Sequence, residues 1–146
     1  MDIQRHSTSS ADTIHRRMAI SVVRDDECRR LTATATGELA FPELLLFLGT
    51  VRTGELEQYT LLFDATGATT AISSAEIAAL ADRVRTIKIQ TGLRAPAALV
   101  AKADALFGLM RMYETLCENV GVDVIRAFRT VEAASEWLDS QAPPSR

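Results

Sequence analysis

The sequence predicts a single α/β domain with a mixed sheet of about five strands and four helices. Its 146 residues are the length of one domain, and 47% of them are apolar, which excludes a disordered chain. After an opening pair of strands, short apolar runs alternate with segments of helical periodicity, which predicts parallel strands joined by right-handed crossovers. The expected order is β-β-α-β-α-β-α-β-α.

The domain is predicted to span residues 17–139, between a polar N-terminal tail (1–16) and a polar C-terminal tail (140–146). No run of 18 apolar residues is present, so no membrane span is expected, and the N-terminus does not resemble a secretory signal. A net charge of -3 does not favour nucleic acid as a partner. Cys28 and Cys117 form no disulfide framework and are predicted to be buried in a reducing, cytoplasmic compartment.

The domain opens with a predicted hairpin, in which "MAISVV" and "RRLTATAT" flank the polar turn "RDDEC". In the second run, Leu31, Ala33 and Ala35 alternate with polar residues, as in a strand with one exposed face. Gly37 is predicted to end this strand.

A first helix is predicted from "FPELLLFLGTVRTG", with Pro42 in its first turn and Gly54 just past its end. The next run, "QYTLLFDAT", is short, apolar and without alternation. It is therefore predicted to be a central strand covered on both faces, with Asp64 at its carboxyl end.

The second helix is predicted from about Ser74 to Ile89, closed by Gly92. Pro96 is expected at the start of the following strand, "APAALVA", or on a sheet edge. The inward stripe of the helix contains Ile77, Leu80, Ala81, Val84 and Ile87.

The third helix is predicted from "DALFGLMRMYETLCENVG", with Asp104 as its N-cap and Gly121 as its stop. A last strand, "VDVIRAF", and a last helix, "TVEAASEWL" with Thr130 as cap, complete the domain. The residues of the third helix predicted to face inward are Leu106, Leu109, Met110, Tyr113, Leu116, Cys117 and Val120.

The sequence contains no recognisable catalytic or cofactor motif, so no enzyme, cofactor or metal is predicted. G-x-G-x-x-G, H-E-x-x-H and G-x-S-x-G are absent. Gly49 and Gly54 have the spacing of a phosphate-binding loop, but Glu55 and Leu56 stand where that loop needs Lys and Ser or Thr. Both histidines lie in the N-terminal tail.

The segment Asp64, Thr66 and Gly67 is the first candidate ligand site, because ligands bind at the carboxyl ends of strands in open α/β sheets. The alternative is that Asp64 accepts hydrogen bonds from backbone N–H groups nearby. Ser73 and Ser74 are the second candidate, either as a phosphoacceptor or anion site at a helix N-terminus or as a capping box with Glu76.

Gly108 and Arg111 are the third candidate. A glycine inside a helix costs about 1 kcal/mol against alanine, and close approach of another backbone or a ligand often explains it. Arg111 would then contact the ligand; the alternative is a solvated arginine.

Trp137, like Leu39 and Phe41, has no obvious place on the inward stripes, so it is predicted to lie partly exposed at the interface of a weak or moderate homodimer. The alternative is that it packs across the sheet edge against the hairpin.

The order and spacing of several segments resemble the SpoIIAA-like family of small bacterial proteins, related to STAS domains and compared with lipid-carrying Sec14-type domains. The similarity covers about residues 18–139. The matching segments are the hairpin, "GEL" at 37–39, "LLFDATGA" leading to "ISSAEI", "FGLMRMYE" and "IRAFRTVEAASEWL".

The resemblance implies a non-enzymatic regulatory or protein-interaction module, similar to anti-sigma-factor antagonists. In those proteins a strand ending in Asp leads to a phosphorylated serine, and Asp64 and Ser73 or Ser74 occupy roughly those places. Ile72 and Ala75 stand where those proteins have an acidic residue and a glycine. The alternative function is a carrier or sensor of a small apolar ligand such as a lipid, suggested by the surplus of Leu, Phe and Met around the first and third helices.

Overall fold

The computed structural model describes residues 19–141. The predicted N-terminal tail and residues 142–146 of the predicted C-terminal tail lie outside them. Within the described residues, no helix is both long and apolar enough to cross a membrane.

Five strands and four helices follow one another in the predicted order. The strands are β1 (Ala19–Asp25), β2 (Arg30–Leu39), β3 (Thr60–Thr70), β4 (Ala97–Val100) and β5 (Ile125–Phe128). The helices are α1 (Phe41–Val51), α2 (Ser74–Thr91), α3 (Asp104–Asn119) and α4 (Val131–Ser140). The sheet order is β1-β2-β3-β4-β5; β1 runs antiparallel to β2 and the other pairs are parallel, which confirms the mixed sheet.

The sheet is covered on both faces over its central strands. Leu61 and Phe63 of β3 belong to the main core beneath α1, α2 and α3, whereas Leu62 packs with Ala134 and Leu138 of α4 on the opposite face. All three β3 residues are buried, so the prediction of a central strand covered on both sides is confirmed.

Strand β3 is longer than predicted, so the expected end at Asp64 is wrong. Its pairing with β2 continues to Thr70, opposite Leu39. Asp64 pairs with Thr34 and Gly67 with Thr36, so three residue steps of β3 match two of β2, which is a β-bulge. Small and polar residues continue the strand because its pairing with β2 satisfies the backbone.

Strand β2 is also longer than predicted. Gly37 lies inside it, with a φ of 82°, and the strand ends at Leu39. Leu39 is buried, so the expectation that it lies partly exposed is wrong.

Helix α2 agrees closely with its predicted pattern. The five residues of the predicted stripe are the buried ones of this helix. Gly92 follows the last residue in the left-handed conformation, with a φ of 73°, as a C-terminal glycine should.

Other predicted helix ends and burials are corrected. Ala103 is the N-cap of α3, and Asp104 is its first residue, where it instead pairs with Arg129 (Oδ1–Nη2 2.7 Å). Val120 is exposed because it follows the last turn of α3. Helix α1 ends at Val51, before Gly54, which begins a 3₁₀ turn.

The two cysteines differ in burial. Cys117 is buried as predicted, but Cys28 is exposed because it lies in the hairpin turn, where its N–H donates to Asp25 (3.1 Å).

Candidate functional site

Asp64 is engaged within the bulge of β3. Its Oδ1 accepts hydrogen bonds from the backbone N–H of Thr66 (3.0 Å) and from the Thr66 hydroxyl (2.8 Å). Gly67 lies beside Thr36, whose methyl group would be 3.5 Å from an added Cβ, an ordinary contact. These contacts match the local alternative, and a ligand at this segment stays a prediction.

Ser73 is the N-cap of α2 in a complete capping box. Its hydroxyl accepts from the Glu76 N–H (3.1 Å), and the Glu76 carboxylate accepts from the Ser73 N–H (3.0 Å). Replacing such a cap with alanine typically costs about 1 kcal/mol, so helix stability alone explains the serine. Ser73 and Ser74 are both exposed, and their phosphorylation stays a prediction.

Gly108 and Arg111 lie on the exposed side of α3. An added Cβ at Gly108 would meet nothing within 4 Å, so no described residue makes the close approach suggested for this glycine. The Arg111 side chain is 60% exposed, and its Nε lies 3.7 Å from the Glu114 carboxylate. This is the geometry of a solvated arginine.

Trp137 is half-buried on α4. Its ring lies 5.7 Å from that of Phe128, and the Arg126 guanidinium lies 5.8 Å from its centroid. It therefore packs beside β5 and not against the hairpin. Its place in a homodimer interface stays a prediction.

An apolar cavity of about 90 Å³ lies between the sheet and helices α1, α2 and α3. Each layer contributes to its wall: Phe47 from α1, Leu80 from α2, Met110 from α3 and Phe63 from β3. The Phe47 and Phe63 rings are 5.4 Å apart. Part of the inward stripes predicted for α2 and α3 thus lines the wall, including Leu80 and Met110, whereas none of the predicted site residues does.

Arg52, the residue directly after α1, is a charged residue among those that line the cavity. Arg52 is 2% exposed, and no other charged side chain is buried among residues 19–141. Its Nη1 donates to the Tyr59 carbonyl (2.7 Å), and its Nη2 lies 3.5 Å from the Pro96 carbonyl. Across residues 19–141, no carboxylate lies within 4 Å of it to offset the charge.

The groups around Arg52 are neutral at physiological pH. Burial lowers the pKa of Arg52 to about 10, which still leaves the guanidinium protonated. Burial and the Cys117 thiol raise the pKa of Tyr113 well above its usual range, against the opposing effect of Arg52. Burial also raises the pKa of Cys117 to about 12. The residues around the cavity therefore include one buried positive charge and a neutral phenol, whereas the surface that they expose to the cavity is almost entirely carbon.

Sequence analysis missed Arg52 and treated Tyr113 as core alone. One signal was available: Arg52 follows Leu48 by four residues, so it continues the inner stripe of α1. The described residues contain no group of three or more His, Cys, Asp or Glu side chains able to hold a metal ion.

No protein-family model matches the chain, and no curated protein matches it significantly. Among solved structures, the chain is similar to an uncharacterized protein of the DUF3478 family from Shewanella loihica, which has a SpoIIAA-like fold. The two are 18% identical with a TM-score of 0.45, over 83% of this chain and 93% of that chain. This similarity concerns the fold alone and indicates no function. The predicted order of strands and helices and the predicted mixed sheet are confirmed by the structure itself.

Proposed function

We propose that the protein binds a small apolar or amphiphilic molecule in the cavity, as a non-enzymatic carrier or sensor. The cavity itself supports this proposal. Protein interiors contain few voids larger than a water molecule, and a water needs only about 10–15 Å³ of such volume. The cavity, at about 90 Å³, is several times larger, and its wall is almost entirely carbon. An engineered apolar cavity in another protein stays dry and binds benzene or xenon.

The cover of the cavity supports the same proposal. Helix α1 contributes Leu44, Phe47 and Leu48 to the wall, yet all three are only half-buried. Leu46, on its outer side, is 73% exposed. A ligand in the cavity would cover apolar surface that α1 leaves unfilled, and each buried methylene contributes about 0.8 kcal/mol.

A regulatory protein-interaction module is the second candidate. The observation in its favour is that the exposed pair Ser73 and Ser74 begins α2, the helix that also supplies Leu80 and Val84 to the cavity wall. A partner that recognises the start of α2 would therefore contact a helix that also packs against the ligand in the cavity.

Two leucines of α3 provide a matched test of the cavity. Leu109 lines it and Leu116 does not, although both are half-buried on the same helix. Leu109→Trp is expected to fill the cavity and weaken binding of octanoate and 1-octanol at least tenfold, whereas Leu116→Trp retains it. Titration calorimetry measures the affinities, and native mass spectrometry of freshly purified protein shows any ligand that co-purifies.

Ligand binding also predicts a shift in thermal stability of the wild-type protein, because a ligand at 100 times its Kd stabilises the folded state by about 2.7 kcal/mol. If neither probe binds the wild-type protein, or if the two tryptophan variants bind alike, the cavity is not a ligand site.

A further inference from the structure

We propose that the ligand is a single-chain amphiphile whose alkyl chain enters between α1 and α3, while its polar head group stays in water at that opening. This inference rests on the proposed function of the cavity. It means that the site recognises the alkyl chain and does not distinguish between head groups.

The inner part of the cavity offers no partner to a polar head group. Among residues 19–141, Arg52 is the only charged residue that lines the cavity, and its two Nη atoms contact backbone carbonyls. The buried Tyr113 hydroxyl shares a hydrogen bond with Cys117. A head group placed there would lose its hydration without gaining hydrogen bonds, which is costly. The head group is therefore expected outside the inner part of the cavity.

The cavity opens between α1 and α3. It is only partly enclosed, and the exposure of its wall residues shows where water reaches it. The wall residues of α2, which are Ile77, Leu80 and Val84, are buried. Leu44 of α1 and Leu109 of α3 also line the cavity, but both are only half-buried. A chain can therefore enter on the side away from α2.

The opening lies toward the carboxyl ends of the strands. Leu61 and Ala97, which pair near the starts of β3 and β4, are buried wall residues. Leu99, two residues further along β4, and Thr70, at the end of β3, are half-buried wall residues. Val124, directly before β5, is a half-buried exception at the other edge. The carboxyl edge is also where open α/β sheets bind ligands.

The wall between the opening and the inner end fits an alkyl chain. Its surface is almost entirely carbon, and it includes the rings of Phe47 and Phe63 and the flexible side chain of Met110. Each methylene buried there should increase the affinity about fourfold. An apolar cavity with one opening to water has the distribution of polarity of an amphiphile with one chain and one head group.

The test compares octanoate, 1-octanol and octylammonium, whose head groups are negative, neutral and positive at neutral pH. In calorimetry with the full chain, the wild-type protein is expected to bind all three within about fivefold, since their alkyl chains differ by at most one carbon. Hexanoate, which is two methylenes shorter than octanoate, should bind about tenfold more weakly than octanoate.

A lysine at the opening tests where the head group lies. Leu44→Lys is expected to shift the ratio of octanoate to octylammonium affinity about tenfold toward octanoate in low-salt buffer, because the new charge attracts one head group and repels the other. Leu46→Lys is the matched control. Leu46 is 73% exposed on the outer side of α1 and does not line the cavity, so this variant should leave the ratio unchanged.

The outcomes separate this inference from the proposed function. A wild-type preference of more than tenfold for one head group, equal binding of hexanoate and octanoate, or the same ratio in both lysine variants would overturn the inference and leave the cavity a ligand site. If no probe binds the wild-type protein, both proposals fail. If Leu44→Lys does not fold, the comparison of head groups in the wild-type protein still decides.

Discussion

Replacing Arg52 with Glu is expected to lower the free energy of unfolding by several kcal/mol at neutral pH, a large part of the about 5–15 kcal/mol that stabilises a domain. The site is 2% exposed, and the contacts of Arg52 there are the carbonyl oxygens of Tyr59 and Pro96. A carboxylate in that place would meet hydrogen-bond acceptors instead of donors, and the charge would remain buried without a cation.

The loss in Arg52→Glu should depend on pH with a defined sign. Burial raises the pKa of the new carboxyl above its unfolded value of about 4.3, because burial disfavours the charged form. The penalty relative to wild type is therefore smallest below about pH 4 and grows as the pH rises. Urea denaturation of both proteins at several pH values measures it.

Arg111→Glu is the matched control for this charge reversal. Arg111 is 60% exposed and lies beside Glu114, so its replacement should change stability by no more than about 0.5 kcal/mol. If the two charge reversals cost the same, or if the penalty at Arg52 does not vary with pH, Arg52 is not buried as described.

Replacing Ile87 with Ala is expected to lower the free energy of unfolding by about 2–5 kcal/mol, the cost of a cavity at a packed aliphatic site. Ile87 is 1% exposed and belongs to the main core beneath α2. Ile89, two residues further along the same helix, is 69% exposed. Ile89→Ala should therefore change stability by no more than about 0.5 kcal/mol.

The Ile87 and Ile89 pair tests the orientation of α2, because both variants remove the same atoms from the same helix. Urea unfolding gives both values under one set of conditions. Equal losses, or a larger loss at Ile89, would mean that α2 presents a different face to the sheet, and the wall that it contributes to the cavity would be wrong as well.

Local patterns in the sequence were sufficient for α2. Its stripe repeats with the helical period, and Ser73, Glu76 and Gly92 mark its ends through contacts within a few residues. The end of β3 was not predictable in this way. The residues after Asp64 are small or polar and include Gly67, so they resemble a turn, and only pairing with the distant strand β2 makes them a strand.

The candidate site likewise has a part that local sequence patterns predict and a part that depends on distant contacts. The side chains that α2 and α3 contribute to the cavity wall could be predicted as inward-facing, whereas Leu39 and Arg52 were not. The space between these side chains depends on how closely three helices approach the sheet. Arg52 illustrates the difference: its spacing from Leu48 places it on the inner stripe, yet its burial without a carboxylate depends on contacts with Tyr59 and Pro96, just before β3 and β4. The segments around Asp64 and Ser73 were easier to notice, and both engage their polar groups locally.

A crystal structure of the wild-type protein with saturating octanoate tests the central claim most directly. The predicted result is one octanoate in the cavity, with its alkyl chain between Phe63 and Met110. An empty cavity under saturating octanoate would contradict it.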